Sequence, residues 1–144
     1  VLDTCHNPHG ARATVATLTE SFAFAPLIGV VAMMRDKDVA GVLAEFEPVM
    51  QTIVCTQVAS TDRGLTADEL GELASEIFGA ERVVVAPRVP DAVEAAVGLA
   101  DAAGPGAGVL IAGSVILAGE ARTMLVRERD RSEDAGADDE GEWR

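Results

Sequence analysis

Aromatic side chains are nearly missing from this chain. They make up 3% of 144 residues, and tyrosine is absent altogether. A core must then be built from Ala, Val, Leu and Ile, small side chains that suit helices pressed closely onto a sheet. Positive charge is also scarce: 11 Lys and Arg stand against 24 Asp and Glu, a formal net charge of −13. That balance disfavours a nucleic-acid backbone or an anionic membrane as partner. It leaves open a phosphate held by backbone N–H groups at a helix start. The two cysteines, Cys5 and Cys55, show no repeated spacing, which reads as free thiols in a reducing, cytoplasmic setting. His6 and His9 lie near Cys5, but no second ligand group follows at structural-zinc spacing, so no metal site is expected. There is no basic lead-in of a signal peptide, and no apolar run reaches the ~20 residues that span a bilayer. Glycine-rich phosphate loops are missing too. Neither G-x-G-x-x-G after a strand nor G-x-x-x-x-G-K-[S/T] occurs, so this chain is not expected to grip a triphosphate by itself.

What remains is a regular alternation of short apolar runs and amphipathic stretches. Apolar runs at residues 27–32 (LIGVVA), 52–56 (TIVCT), 82–86 (RVVVA) and 109–112 (VLIA) read as strands covered on both faces. Residues 1–3 read as the end of a further strand already in progress, so the chain is expected to be a fragment cut just ahead of its own first strand. Helices are expected over residues 10–21, where Ala11, Val15, Leu18 and Phe22 share a face, and over 39–46, with Asp38 as N-cap. A third helix follows Thr66, which forms a capping box with Glu69 and buries Leu70, Leu73, Ala74 and Ile77 before Gly79 ends it. A fourth opens at Pro90 and Asp91, and a last one lies within 115–126. The order β-α-β-α-β-α-β-α-β-α predicts a doubly wound, mostly parallel α/β sheet flanked by helices, with room for one reversed edge strand. Residues 1–126 make this domain. Residues 127–144, with four arginines and eight acidic residues, cannot bury apolar surface and are expected to form a disordered acidic tail.

Ligands of such a sheet bind beyond the carboxyl ends of its strands. The richest loop there is DTCHNPHG, residues 3–10. Asp3, at a strand end, can accept ribose hydroxyls; His6 can hydrogen-bond a phosphate; Asn7 can hold the loop through an Asx turn. The competing reading is a polar turn that caps the first helix. RDKD, residues 35–38, is either a clamp for an acidic substrate or a solvated turn ending in a helix cap. In STDRG, residues 60–64, Arg63 is the single cation and can hold a carboxylate, or else lies in a salt-bridged loop. Ser114 begins the last helix, as an N-cap or as a hydroxyl for a carboxylate. Cys5 beside His6 lacks a third, orienting group for nucleophilic work, and Cys55 belongs to the core.

These segments carry a family resemblance. VLDTCHNPHGA, GVVAMMRDKD, GLTADELGEL and IAGSVILAGEAR, in that order, resemble the carboxy-terminal domain of folylpolyglutamate synthase/dihydrofolate synthase, of the Mur ligase superfamily. The resemblance implies an ATP- and Mg2+-dependent ligase. A carboxylate of dihydropteroate or a folate is activated as an acyl phosphate, and the amine of L-glutamate attacks it, releasing phosphate. It implies a separate amino-terminal and central ATPase domain as partner, which holds most of the ATP and Mg2+, and a monomer that binds neither nucleic acid nor membrane. By the same resemblance Asp3 contacts the nucleotide, and His6 faces phosphoryl transfer as the catalytic group. Asn7, with Pro8, shapes the nucleotide-facing loop. Lys37 and Asp38 form the family's KD pair on the substrate side, and Ser114 lies near the incoming glutamate. Thr4 and Cys5 depart from the commoner small residues and Ala of that loop. The isolated domain is expected to be inactive. Two other readings remain: the carboxy-terminal domain of a Mur-type ligase for cell-wall precursors, which would favour Lys or Arg at His6, and a non-catalytic α/β interaction domain.

Overall fold

A computed structural model describes residues 1–140, with side-chain environments to residue 135. Ten elements follow in order: α1 (Pro8–Ser21), β1 (Leu27–Val31), α2 (Val39–Phe46), β2 (Met50–Cys55), α3 (Ala67–Phe78), a 3-10 turn (Ala80–Arg82), β3 (Val83–Val85), α4 (Val89–Ala103), β4 (Gly108–Ala112) and α5 (Val115–Glu140). The strands pair in the order β3-β2-β1-β4, every pair parallel. The chain steps outward from β1 to β3 and then returns to the far side of β1. Strand order therefore reverses between β1 and β4, the crevice where sheets of this class take their ligands.

Residues 1–3 form no full strand. They lie along the outer edge of β4 through one parallel bridge, Leu2 to Ile111, with Asp3 N–H donating to the Ile111 carbonyl at 2.9 Å and Ile111 N–H donating to that of Val1 at 2.9 Å. The expected fifth strand is thus a short edge lane, and it runs parallel. The one antiparallel contact among the described residues is an isolated bridge between loops, Met34 to Gly64.

Alternation along the strands divides the core in two. Val31, Ile53, Cys55 and Leu110 face Ala11 and Leu18 of α1, Leu43 and Phe46 of α2, and Leu70 and Ala74 of α3. Val30, Val54 and Ile111 face Val89, Val93 and Ala96 of α4, and Leu117 and Ala121 of α5. A buried leucine such as Leu70 is worth ~2–5 kcal/mol against alanine in such packing.

Two helix boundaries differ from the sequence reading for local reasons. α1 begins at Pro8, two residues early, because Asn7 is its N-cap and proline suits the first helical position, where no N–H is needed. α5 runs on to Glu140 instead of ending near Val126. Low apolar content rules out core burial but not helical backbone, and an Arg129–Glu133 pair at i,i+4, 3.7 Å, adds local support. Every residue from 125 to 135 is exposed, so this stretch of the extension adds nothing to the core. The expected tail's last residues, 141–144, lie outside the described residues.

Candidate active-site wall

The segment after residue 3 is held by its own backbone. One Asp3 carboxylate oxygen accepts from the Cys5 N–H at 2.7 Å, and the Asn7 side chain accepts from the Gly10 N–H at 2.7 Å. His6 Nδ1 lies 3.1 Å from the Thr4 carbonyl. A carbonyl only accepts, so this contact places a proton on Nδ1. Nε2 then carries the lone pair of a neutral ring, and donates only when the ring is an imidazolium. His6 and Asp3 are half-buried, Asn7 exposed.

Three loops converge on this segment. The Gly113 N–H donates to the Cys5 carbonyl at 3.0 Å, joining the residues after β4 to the His6 loop. Gly113 has φ +103°, and a Cβ there would stand 2.5 Å from the Ala32 carbonyl oxygen, so glycine lets the β1 and β4 loops touch. A Cβ at Gly41 would lie 2.7 Å from the Pro8 ring and 2.5 Å from the Asp38 carboxylate, so the starts of α1 and α2 abut only because residue 41 is glycine. The starts of α1 and α2 therefore lie side by side next to the His6 loop, and the positive ends of two helix dipoles there favour anions.

The other expected residues take more modest positions. Asp38 caps α2, accepting from the Gly41 N–H at 3.0 Å, and Lys37 is exposed, 3.9 Å from the Asp36 carboxylate. Ser114 is buried, and its hydroxyl oxygen accepts from the Ile116 and Leu117 N–H groups at 3.2 and 3.4 Å. It is the N-cap of α5, with its own hydroxyl proton left to give. None of the hydrogen bonds among the described residues joins the side chains of Asp3, His6, Lys37 and Ser114 to one another. Cys5 lies in the core, and burial pushes its thiol up to about 11, which removes it as a nucleophile near neutrality.

The loop between β2 and α3 was only partly legible. Arg63 is exposed and its guanidinium makes no hydrogen bond or ion pair among the described residues. With Arg35, Asp36 and Asp62 it borders an open recess of about 500 Å³. The recess exists because two loops are clipped together. Arg35 N–H donates to the Arg63 carbonyl at 3.0 Å, Leu65 N–H to that of Met33 at 2.9 Å, and the Arg35 guanidinium pairs with Glu69 at 2.9 Å. Glu69 also closes the capping box with Thr66. The Thr66 N–H and then the Arg35 guanidinium hold the Glu69 carboxyl below its ordinary value of 4.5. Sequence reading found the capping box and singled out residues 35–38, but not the pairing of Arg35 with Glu69. It also missed Gln57, which accepts from the Ala67 N–H at 2.9 Å, and Glu120 of α5; isolated polar residues far apart in sequence give no spacing signal.

A parallel sheet with polar loops and helix starts at its switch point defines a doubly wound α/β domain. The sequence profile of the family described as Mur ligase, glutamate ligase domain, matches residues 1–115, and the chain belongs to that family. Within it the chain matches the C-terminal domain of bifunctional folylpolyglutamate synthase/dihydrofolate synthase. The dihydrofolate synthase/folylpolyglutamate synthase of Mycobacterium tuberculosis is 41% identical over 137 residues, 88% of this chain and 28% of that protein. The M. tuberculosis folylpolyglutamate synthase structure complexed with ADP superimposes with a TM-score of 0.80 at 42% identity, over 85% of this chain and 28% of that one. Escherichia coli FolC in complex with DHPP and ADP gives a TM-score of 0.75 at 26% identity, over 88% and 28%. The chain thus spans about 28% of the length of these relatives.

Proposed function

We propose that this chain is the closing domain of an ATP-dependent ligase that adds L-glutamate to dihydropteroate or folates. ATP, with Mg2+, supplies the phosphoryl group that turns the substrate carboxylate into an acyl phosphate. The glutamate amine then attacks that carbon, an amide forms, and phosphate leaves. The observation that carries this reading is the convergence of the His6 loop with the starts of α1 and α2 and the β4–α5 turn, at the switch point of a domain similar in sequence to folate ligases.

The residues present fit the outer part of a nucleotide site and no more. Asp3 has one carboxylate oxygen committed to the Cys5 N–H, while the other makes no hydrogen bond among the described residues and can accept a ribose hydroxyl. His6, its Nδ1–H turned to the Thr4 carbonyl, can donate to a phosphoryl oxygen through Nε2 as an imidazolium. Asn7 keeps the loop in place by capping α1. Lys37 and Arg63 are the exposed cations on the neighbouring loops for a substrate carboxylate, and Asp38 fixes the turn that presents Lys37. The Ser114 hydroxyl proton remains available at the start of α5.

Half of the electrostatic groups such a reaction needs would come from a separate ATPase domain, which relatives more than three times as long have room to carry. The purified 144-residue chain, given ATP, Mg2+, folate and glutamate, is therefore expected to release no ADP. The same chain joined to its ATPase domain should release ADP only when both folate and glutamate are present. Turnover by the isolated chain at the rate of a complete ligase would overturn the reading.

A further inference from the structure

We infer that Glu120 is a positioning residue, a strut on α5 that sets where Arg63 stands in the amino-acid site; this rests on the ligase reading above. Glu120 lies on α5 (Val115–Glu140), six residues beyond Ser114, about 9 Å along the helix axis. Its carboxylate reaches across to the β2–α3 loop. It accepts from the Ser60 hydroxyl at 3.0 Å, the Ser60 N–H at 3.3 Å and the Ala59 N–H at 3.2 Å. No cation lies within ion-pair distance of it among the described residues, so all its bonding is spent on one loop.

The helix that carries this carboxylate is rigid at that point, because Leu117 and Ala121, on either side, are fully buried. The far end of the same loop is held independently, by the backbone clip to Met33 and Arg35 and by Gln57 on the Ala67 N–H. Between these two anchors stands the crest at residues 61–63, with the Arg63 N–H donating to Thr61 Oγ1 at 3.2 Å. Arg63 is thus fixed from below by α3 and β1 and from the side by α5. Through Glu120 its position is referred to the same helix whose first turn holds Ser114. Hydrogen bonds to an ionised acceptor are the stronger kind, and here they tie two site-bearing loops rather than filling a core.

The test uses the complete ligase with its ATPase domain. Glu120→Ala is expected to raise the KM for glutamate about tenfold, with kcat within about threefold and the KM for ATP unchanged. Glu120→Gln, which keeps an acceptor oxygen, should restore most of the loss. In a double-mutant cycle, Glu120→Ala should add almost nothing once Arg63 is already alanine, because the strut acts through that side chain. Ser60→Ala removes a single donor and should show the same coupling at smaller size, and it serves if Glu120→Ala folds poorly. A fall in thermal stability with kcat and both KM values unchanged would overturn the inference, as would fully additive effects of the two substitutions. If Arg63→Ala itself leaves the glutamate KM unchanged, the placing of Arg63 in the site fails. If Arg63→Ala raises it and no strut variant does, the strut alone fails.

Discussion

The loop that carries His6 and the turn that carries Arg82 sit at opposite ends of the sheet and use their polar groups in opposite ways. At Arg82 everything is spent. Its guanidinium donates to the Glu47 carbonyl at 2.7 Å, to the Glu47 carboxylate at 2.8 Å, to the Gln51 carbonyl at 3.2 Å, to the Phe78 carbonyl at 3.5 Å and to the Met50 carbonyl, and it stacks 4.9 Å over the Phe78 ring. It fastens the end of α2 to the start of β2 and leaves no donor for a ligand. In the His6 loop Asp3, His6 and Asn7 each make one bond, to backbone within or just beyond the loop, and capacity is left over: one Asp3 oxygen, Nε2 of His6, and nearby the Lys37 ammonium. The difference separates a polar residue whose bonds are used up in holding the fold from one that has capacity left for a ligand. The useful quantity is unspent hydrogen-bonding capacity, not polarity.

Arg82→Ala attacks the spent end and should give the largest change in stability. It strips partners from four carbonyls and one carboxylate, a loss of about 3 kcal/mol in unfolding by denaturant. Lysine should not rescue it, since a point charge cannot reproduce the planar fork. Turnover of the folded complete ligase should stay near normal. A strong kinetic defect without a stability defect would break the contrast between the two ends.

Asn7→Ala sharpens the contrast from the other side. It removes the cap of α1 and should cost about 1 kcal/mol, because the N–H of Gly10 loses its partner. The measurement is the midpoint of thermal or urea unfolding.

The smallest expected effect concerns Glu69, which combines both uses, capping α3 and pairing with Arg35. Its carboxyl is held below its ordinary value of 4.5, first by the Thr66 N–H and then by Arg35. A depressed acid stabilises the fold above its unfolded value, and that contribution is lost as pH falls through the folded one. The clip between the β1 and β2–α3 loops should therefore loosen below about pH 4.5. Glu69→Gln should flatten that part of the stability-versus-pH curve. An unchanged acid limb in the variant would assign the sensitivity elsewhere.

Much of this was legible in the chain because the signals were local. Alternating apolar runs gave the parallel sheet, Thr66 and Glu69 gave the capping box, and Asp38 before Val39 gave the start of α2. The motif at residues 3–10 pointed to the loop that the fold places at the switch point. Signals that act across the fold were not legible. Arg82 reads in sequence as the first residue of a strand, yet it is the end of a 3-10 turn, and its partners Glu47, Met50 and Gln51 lie more than thirty residues away. Glu120 and Ser60 meet only because α5 crosses toward the β2–α3 loop. The reach of α5 was missed because composition reports what a segment can bury, and a solvated helix buries nothing. Ser114 was legible as a candidate N-cap at a helix start, and its cap bonds agree, but its burial emerges only in three dimensions.

On the proposed reading, His6 and Asp3 act once the domain has closed over the nucleotide. The measurement is steady-state kinetics and thermal stability on the same two variants of the complete ligase. His6→Ala should lower kcat by ~2–4 kcal/mol, the scale of one well-placed donor to a developing charge, and raise the ATP KM only modestly. Asp3→Ala should weaken nucleotide binding along with turnover, since it touches a part of the nucleotide that does not react. Both proteins should unfold within about 1 kcal/mol of the parent. Near-normal kinetics in a destabilised His6→Ala protein would contradict the account and leave this loop as a helix cap.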